Sequence, residues 1–469
     1  MKPFALTIGE YTNQLNYTDL PLNIVQEAKY KTLDNIAVTV AAYEEAPARI
    51  LADYALTAGG REEAGIFMYE KRVPAALAAL VNGTAAHCLE IDDDHNELLG
   101  HPGVTAVPAC LAMAEKTGAS GQDYITGLVV AYQLSCSLGM SVHSGVLHDW
   151  GYHPTGVCGI FGAALGSAKI MGLSPEQTAC ALGIAGSQSA GLFEFVADGS
   201  WTKRFHGGWS AHSGLLAATF AAGGYTGPKS VFEGRMGWLH AYAGEGNYDW
   251  SVMENSFPIN VYEIDRTSYK PYACCRHNHT AIDVVLDLVE ENGIAIDNIE
   301  RIEVRLPTEA IPIIVQPPER KLHPETTVDS QFSIYYSIAA TLLSPEQRDT
   351  MTTFIDQFTA EKIKDPAILA LAARVTCSDH PEVNVLFPAY YAASALITTK
   401  DGKTFYKLEK GHRGEQVAGK RWSEQELVKR FHKLTAGFLN SARRETIINT
   451  VLDLENISTL TGITNMLKV

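Results

Sequence analysis

The sequence predicts a mainly α protein: a large all-helical domain built from both chain ends, with a smaller α+β lid domain inserted between them. Three observations carry this. Apolar residues recur at helical spacing through the first 260 or so residues, and no period-two alternation of any length appears there. Strand alternation and a hairpin signal appear only between about residues 298 and 409. A capping box at Ser423 then returns the chain to helix. The boundaries this predicts are 1–266 and 411–469 for the helical domain, and 267–410 for the insert.

Taken in order, residues 4–15 place Ala5, Ile8, Tyr11 and Leu15 on one helical face, and residues 22–42 repeat the pattern with Ile24, Ala28, Ile36 and Val40. Residues 46–58 and the alanine-rich 74–88 follow suit, as do 104–117 and 122–142. Gly156, Gly159, Gly162 and Gly166 lie in an Ala/Ser-rich run. Small residues at that spacing let helices approach closely, so the run is expected to serve helix packing. Ser174-Pro175-Glu176-Gln177 is a capping box with proline at the first helical position, starting a helix through about Ala190. After Val261 the texture changes. Residues 298–306 alternate at Ile302, Val304 and Leu306, as a half-buried strand does. Residues 328–343 and 366–374 read as helices. Residues 391–399 and 403–409 flank Asp401-Gly402, a hairpin turn pair. Residues 424–469 read as helices again.

The totals bound the function. A chain of 469 residues points to two domains. The net charge of −16 argues against a nucleic-acid partner, while leaving room for a local basic pocket. None of the eight cysteines forms a C-x-x-C pair, and five lie in small apolar segments, as free thiols of a reducing, cytoplasmic compartment do. The N-terminus has no apolar core or cleavage site, so no signal peptide is expected. No run of roughly 20 residues is apolar enough to span a bilayer, so no membrane association is expected.

Four clusters carry chemistry. Glu90-Ile91-Asp92-Asp93-Asp94-His95-Asn96-Glu97, followed by His101-Pro102-Gly103, reads as a hard-metal site, as a loop that tunes a histidine, or as a solvated acidic turn. His153 directly precedes the small-residue helix, which Thr155 is placed to cap and whose N-terminus favours an anion. The stretch from Gly199 to Gly214 sets Lys203, Arg204, His206 and His212 among glycines and serines. It reads either as a polar loop with a solvated basic tip or as a place that holds carboxylates and moves protons. Lys270-Pro271-Tyr272-Ala273-Cys274-Cys275-Arg276-His277-Asn278-His279 sits where the helical texture ends, so it is placed to line an interdomain cleft.

These clusters resemble the MmgE/PrpD family, which includes 2-methylcitrate dehydratase, cis-aconitate decarboxylase and iminodisuccinate epimerase. The resemblance rests on Asn82-Gly83 with Ala86-His87, Glu90-Ile91-Asp92-Asp93, His101-Pro102-Gly103 and Val107-Pro108-Ala109. It continues through His153-Pro154-Thr155, Lys203-Arg204-Phe205-His206, the Tyr-Ala-Cys-Cys-Arg run and Asp329-Ser330-Gln331-Phe332-Ser333, in the family's order along nearly the whole chain. It implies a homodimer with a site between the two domains, small di- or tricarboxylate substrates, and no metal or organic cofactor. By position it implies that His101, His153 and Lys203 are active-site residues. Asp93 falls in the acidic motif, and Glu90 takes a position often held by aspartate. Lys270, Cys275 and Arg276 fall in the cleft segment, and Tyr336 falls near a tyrosine of the decarboxylases. Two positions depart from the family: Asp94 stands where threonine is usual, and Cys275 stands near a histidine of the decarboxylases.

The expected function is a lyase, a dehydratase or decarboxylase that moves protons next to a carboxylate. His153 and Lys203 are the expected proton carriers, with His101 in support and Asp93 orienting it. Arg276, Lys270 and Arg204, with His206 nearby, are expected to hold carboxylates. An epimerase or racemase of an imino- or amino-dicarboxylate is one alternative. A catalytically inactive dimeric scaffold is another, and the presence of His101, His153 and Lys203 together counts against it.

Overall fold

The computed structural model describes residues 2–344, 351 and 353–468; residues 1, 345–350, 352 and 469 lie outside it. The fold is mainly α. Helices Phe4–Gln14, Leu22–Ala42, Ala46–Ala58, Ala75–Ala86, Gly103–Thr117, Gly121–Ser141 and Pro175–Gly186 occupy the stretches where the apolar spacing predicts them. Both capping boxes form: Ser174 accepts the Gln177 N–H at 3.2 Å and Ser423 accepts the Glu426 N–H at 3.3 Å.

Helix Pro154–Ile170 is the centre of the helical part. Helices Gly103–Thr117, Gly121–Ser141, Pro175–Gly186 and Thr202–Ala222 all pack on it, and every residue from Pro154 to Ala168 is buried. Its glycines do the expected packing work. A Cβ on Gly162 would stand 2.0 Å from the Ser135 hydroxyl, and one on Gly166 would stand 2.5 Å from the Cys110 sulfur.

Four local expectations are corrected. From Thr202 onward the Gly199–Gly214 stretch is the start of helix Thr202–Ala222, not a loop, and its glycines meet another helix rather than a ligand. A Cβ on Gly208 would stand 2.1 Å from the Leu80 carbonyl oxygen, and one on Gly83 would stand 2.9 Å from the Gly208 Cα. Thr155 does not cap helix Pro154–Ile170. It lies inside the first turn, and its hydroxyl accepts the His101 backbone N–H at 3.0 Å. The stretch 328–343 divides into Thr327–Gln331 and Ile334–Leu342, with Ser333 capping the second. The first 266 residues also hold short strands, Ala64–Gly65 paired with Arg72–Val73, and Asp94–His95 paired with Thr267–Ser268. Two-residue strands are too short to leave an alternation in the sequence.

The insert is built on a four-stranded sheet. Strand Ile299–Leu306 runs parallel to Val375–Asp379 and antiparallel to Ala393–Thr399, which continues through the Asp401-Gly402 turn into Thr404–Glu409. Ile302, Val304 and Leu306 are buried, and helix Arg276–Asn292 packs on the sheet. Helices Glu424–Thr435 and Ser441–Leu452 pack on Leu22–Ala42. Arg430 fastens this junction: its guanidinium, 1% exposed, bonds the Asp34 carboxylate at 2.6 Å and the carbonyls of Lys270 and Ile91 at 3.0 and 2.6 Å. These contacts support a division into a helical domain of 1–266 with 411–469 and an insert of 267–410, which we propose.

Gly208→Ala puts a methyl group against the Leu80 carbonyl and should lower the unfolding midpoint, with a loss of about 1–3 kcal/mol in chemical denaturation. A variant as stable as the parent refutes the close crossing of helices Ala75–Ala86 and Thr202–Ala222.

Candidate active site

A small, mostly enclosed cavity of about 50 Å³ lies where the first residues of four helices meet. His101 lies two residues before helix Gly103–Thr117, His153 is the N-cap of Pro154–Ile170, Lys203 is the second residue of Thr202–Ala222, and Cys275 and Arg276 open Arg276–Asn292. All five line the cavity, together with Glu90, Asp94, His148, Phe193, His277, Phe332 and Tyr391, among others. Each helix N-terminus carries a partial positive charge from its unpaired N–H groups, so the cavity wall favours anions.

The acidic loop answers those charges. It is neither a solvated turn nor an open ligand set, because Glu90, Asp92, Asp93 and Asp94 are all buried. Glu90 accepts two bonds from the Lys203 ammonium, at 2.5 and 2.7 Å, and one from Lys270 at 3.3 Å. Burial alone would raise Glu90, but the two ammonium groups outweigh it and hold the carboxyl far below its ordinary range. Asp92 is likewise held low against burial by Lys270, His87 and His101. The two lysines diverge. Lys203 meets one carboxylate, and burial lowers its proton affinity on balance. Lys270 meets both Glu90 and Asp92, at 3.3 and 3.8 Å, and these raise it against its own burial. Arg204, next to Lys203 in the chain, is not among the charges that act on it; these are Glu90, Lys270 and Asp92.

Asp92, not the Asp93 side chain, faces the histidines. Its Oδ2 lies 3.1 Å from His87 Nδ1 and 3.3 Å from His101 Nδ1. His101 Nδ1 also lies 2.9 Å from the Asp93 backbone oxygen. A carbonyl only accepts, so Nδ1 carries the proton and Nε2 keeps its lone pair. Burial and then Lys270 keep His101 neutral, and burial, His206 and Lys203 do the same for His153. The Asp93 carboxylate points into the helical core, where it accepts bonds from the Tyr132 hydroxyl at 2.6 Å and the Gly103 N–H at 2.9 Å.

Arg276 is gripped on one side and free on the other. Its Nε bonds Asp94 at 2.7 Å, its Nη2 bonds Glu415 at 2.8 Å and Asn96 at 3.1 Å, and its plane lies 4.5 Å from the Tyr391 ring centre. Its Nη1 is buried with no protein partner among the described residues. A buried guanidinium N–H that faces no acceptor is a donor held ready for a carboxylate. Burial pushes the Cys275 thiol up, which leaves it a poor nucleophile.

Besides Asp93, four expected residues lie off the cavity wall. Lys270, fully buried, stands behind it on Glu90 and Asp92. Tyr336 donates to the Gln357 carbonyl at 2.7 Å in the insert core. Arg204 lies near Gln331 and Glu45, at 3.5 and 3.9 Å. His206 stands behind His153, with the two Nδ1 atoms 3.0 Å apart. Conversely, His87, Asp92, Tyr391, His277 and Glu415 belong to the site and were given no role from the sequence. His87, Asp92 and His277 lie inside the motifs and clusters that carried the reading; Tyr391 and Glu415 had no signal.

Ring nitrogens of His87, His101 and His153 lie within 4.8 Å of one another. The Lys203 and Lys270 ammonium groups stand near these rings and oppose a cation there. Among the described residues no helix is long and apolar enough to cross a membrane.

The MmgE/PrpD N-terminal domain profile matches residues 6–251, and the C-terminal domain profile matches residues 272–455. The chain is 27% identical over 470 residues to the cis-aconitate decarboxylase-like protein oryM of Aspergillus oryzae, covering 95% of this chain and 93% of that one. It is 24% identical over 480 residues to cis-aconitate decarboxylase of Aspergillus terreus, covering 98% and 95%. It is 27% identical over 411 residues to human cis-aconitate decarboxylase, covering 85% and 80%.

Burial pushes the Asp93 carboxyl up to about 7. The folded chain therefore holds that proton more tightly than the unfolded chain, and this group's contribution to stability falls as pH rises from about 4 through 7. Asp93→Asn removes the titration while leaving the Asp93 backbone carbonyl on His101. The difference in melting temperature between pH 5 and pH 8 should shrink in the variant. A difference equal to the parent's refutes the assignment.

Proposed function

The chain belongs to the MmgE/PrpD family, and we propose that within it the chain is a cofactor-independent lyase that releases CO2 from a small tricarboxylate of the cis-aconitate type. One observation carries the reading: four helix N-termini meet at a buried cavity lined by Arg276, whose Nη1 amino group has no partner among the described residues. That is a site for a carboxylate rather than for a neutral or cationic ligand. The relatives' printed activity supports the choice of decarboxylation.

In this reading Arg276 anchors a substrate carboxylate that is kept, and Lys270, behind the cavity wall, holds Glu90 and Asp92 in place. The carboxylate that leaves carries no cation of its own. Its carbon–carbon bond breaks, the electron pair shifts into a new double bond, and the displaced double-bond pair takes a proton at carbon. One proton enters and one CO2 leaves, so charge balances. Lys203, its proton affinity lowered by burial, and His153 are the proton carriers; His101 is held by Asp92 in the tautomer that presents a basic Nε2. A cavity of about 50 Å³ has room for a few water molecules and not for a tricarboxylate, so the insert residues Arg276, Phe332 and Tyr391 move back to admit substrate. The protein acts as a cytoplasmic homodimer associating through its helical domain, which light scattering at micromolar concentration tests.

Proton NMR of the enzyme with cis-aconitate, 2-methylcitrate and iminodisuccinate decides the reaction. CO2 release from cis-aconitate is expected. Water loss from 2-methylcitrate, or epimerisation of iminodisuccinate, without CO2 release overturns the reading. Full activity is expected after exhaustive chelation. Loss that one divalent ion restores would make the histidine cluster a metal site. Lys203→Met should lower kcat by about 100-fold or more with a modest change in KM, and Lys203→Arg should not recover kcat, because arginine does not give up its proton. Arg276→Lys should instead raise KM by about tenfold or more, since lysine lacks the planar fork that bridges Asp94, Glu415 and substrate.

A further inference from the structure

His206 is buried and sits one hydrogen bond away from the cavity it was expected to line. Its Nδ1 lies 3.0 Å from His153 Nδ1, with ring centres 5.2 Å apart. That bond leaves Nε2 of each ring uncommitted to it. His153 lines the small active cavity. His206 lines a second, more open cavity of about 530 Å³, whose wall includes Glu194, Asp198, Ser200 and Thr202. The two imidazoles thus form a continuous path from a water-accessible cavity to the reaction site, through a wall of packed helices.

We propose that the His206–His153 pair is a proton relay that feeds the closed active site from the second cavity. The proposal rests on the reading above, in which each turnover consumes a proton. A bound tricarboxylate fills the small cavity and excludes the water that could otherwise resupply His153. The exchange runs as three linked transfers. His153 Nε2–H passes its proton to the substrate carbon, whose electron pair forms the new C–H bond. His153 Nδ1 takes the proton of His206 Nδ1–H. His206 Nε2 takes a proton from water in the second cavity. Both rings end in the opposite tautomer, neutral, and one proton has entered. Once product leaves, water in the emptied cavity protonates His153 Nε2, the transfers run backward and the borrowed proton returns to the second cavity. The pair thus lends a proton while the site is closed and spares His153 an imidazolate, and the net proton of each cycle comes from the water that re-enters. Burial keeps both rings neutral between turnovers, as a tautomer relay requires.

His206→Gln keeps an acceptor and a donor behind His153, but an amide neither gives up nor takes on a proton at working pH. It should lower kcat on cis-aconitate by about 10- to 100-fold with KM unchanged. Added imidazole, which the second cavity is large enough to admit, should restore kcat saturably. The proton inventory in mixed H2O and D2O should be curved for the parent and linear for the variant. A variant with parental kcat overturns the relay, as does a loss that imidazole does not restore or one that appears mainly in KM; the last two assign His206 to packing or to substrate binding. His206→Ala, which leaves more room for imidazole, repeats the rescue should the glutamine variant fold poorly. A parent enzyme that releases no CO2 sinks the lyase reading and the relay with it. A parent that does, beside an unaffected variant, sinks the relay alone.

Discussion

Four helices begin at one small cavity, and the positive ends of their dipoles, with Lys203, Lys270 and Arg276 among them, have to be answered by negative charge. The loop from Glu90 to Asp94 supplies it. A buried run of carboxylates would not survive alone, and a cluster of buried cations would not either. Each is tolerated because the other is within hydrogen-bond reach. The same balance places the loop: Asp94–His95 pairs with Thr267–Ser268, and Arg430 holds the carbonyls of Ile91 and Lys270 together from behind. The site is therefore assembled by charge matching between segments some 180 residues apart, as in the pair of Glu90 and Lys270.

That balance also sorts the titrating groups. Lys203 has one carboxylate and Lys270 has two, so neighbours of the same type are pushed in opposite directions. His101 and His153 lie beside ammonium groups and stay neutral. Asp93, one residue from Asp92, points into the helical core, where burial outweighs Lys31 and the Tyr132 hydrogen bond and raises it toward neutrality. Roles that look interchangeable in a row of acids are separated by which way each side chain leaves the backbone.

Much was legible in the chain itself. Apolar spacing located the helices, because a helix that buries one face must repeat it every three to four residues. The glycines of Pro154–Ile170 announced close packing, and Asp401-Gly402 announced the hairpin. The motifs located His101, His153, Lys203, Cys275, Arg276 and Glu90, all of which line the cavity. Tyr391 and Glu415 left no signal, since each lies in a segment whose local sequence is ordinary; His277 lies in the cluster expected to line the cleft but was given no role there.

The sequence by itself determined the helical periods, the caps, the strand at 299–306 with the hairpin around Asp401-Gly402, and the inventory of acids, imidazoles and cations, because each follows from residues close together in the chain. Only the tertiary structure decided which acid orients which imidazole, that the Arg276 Nη1 amino group has no partner among the described residues, and that His206 stands behind His153. Those facts depend on the crossing of helices Ala75–Ala86, Pro154–Ile170 and Thr202–Ala222 and on the direction of single side chains. A sequence period reports which face of a helix is buried. It does not report what that face meets.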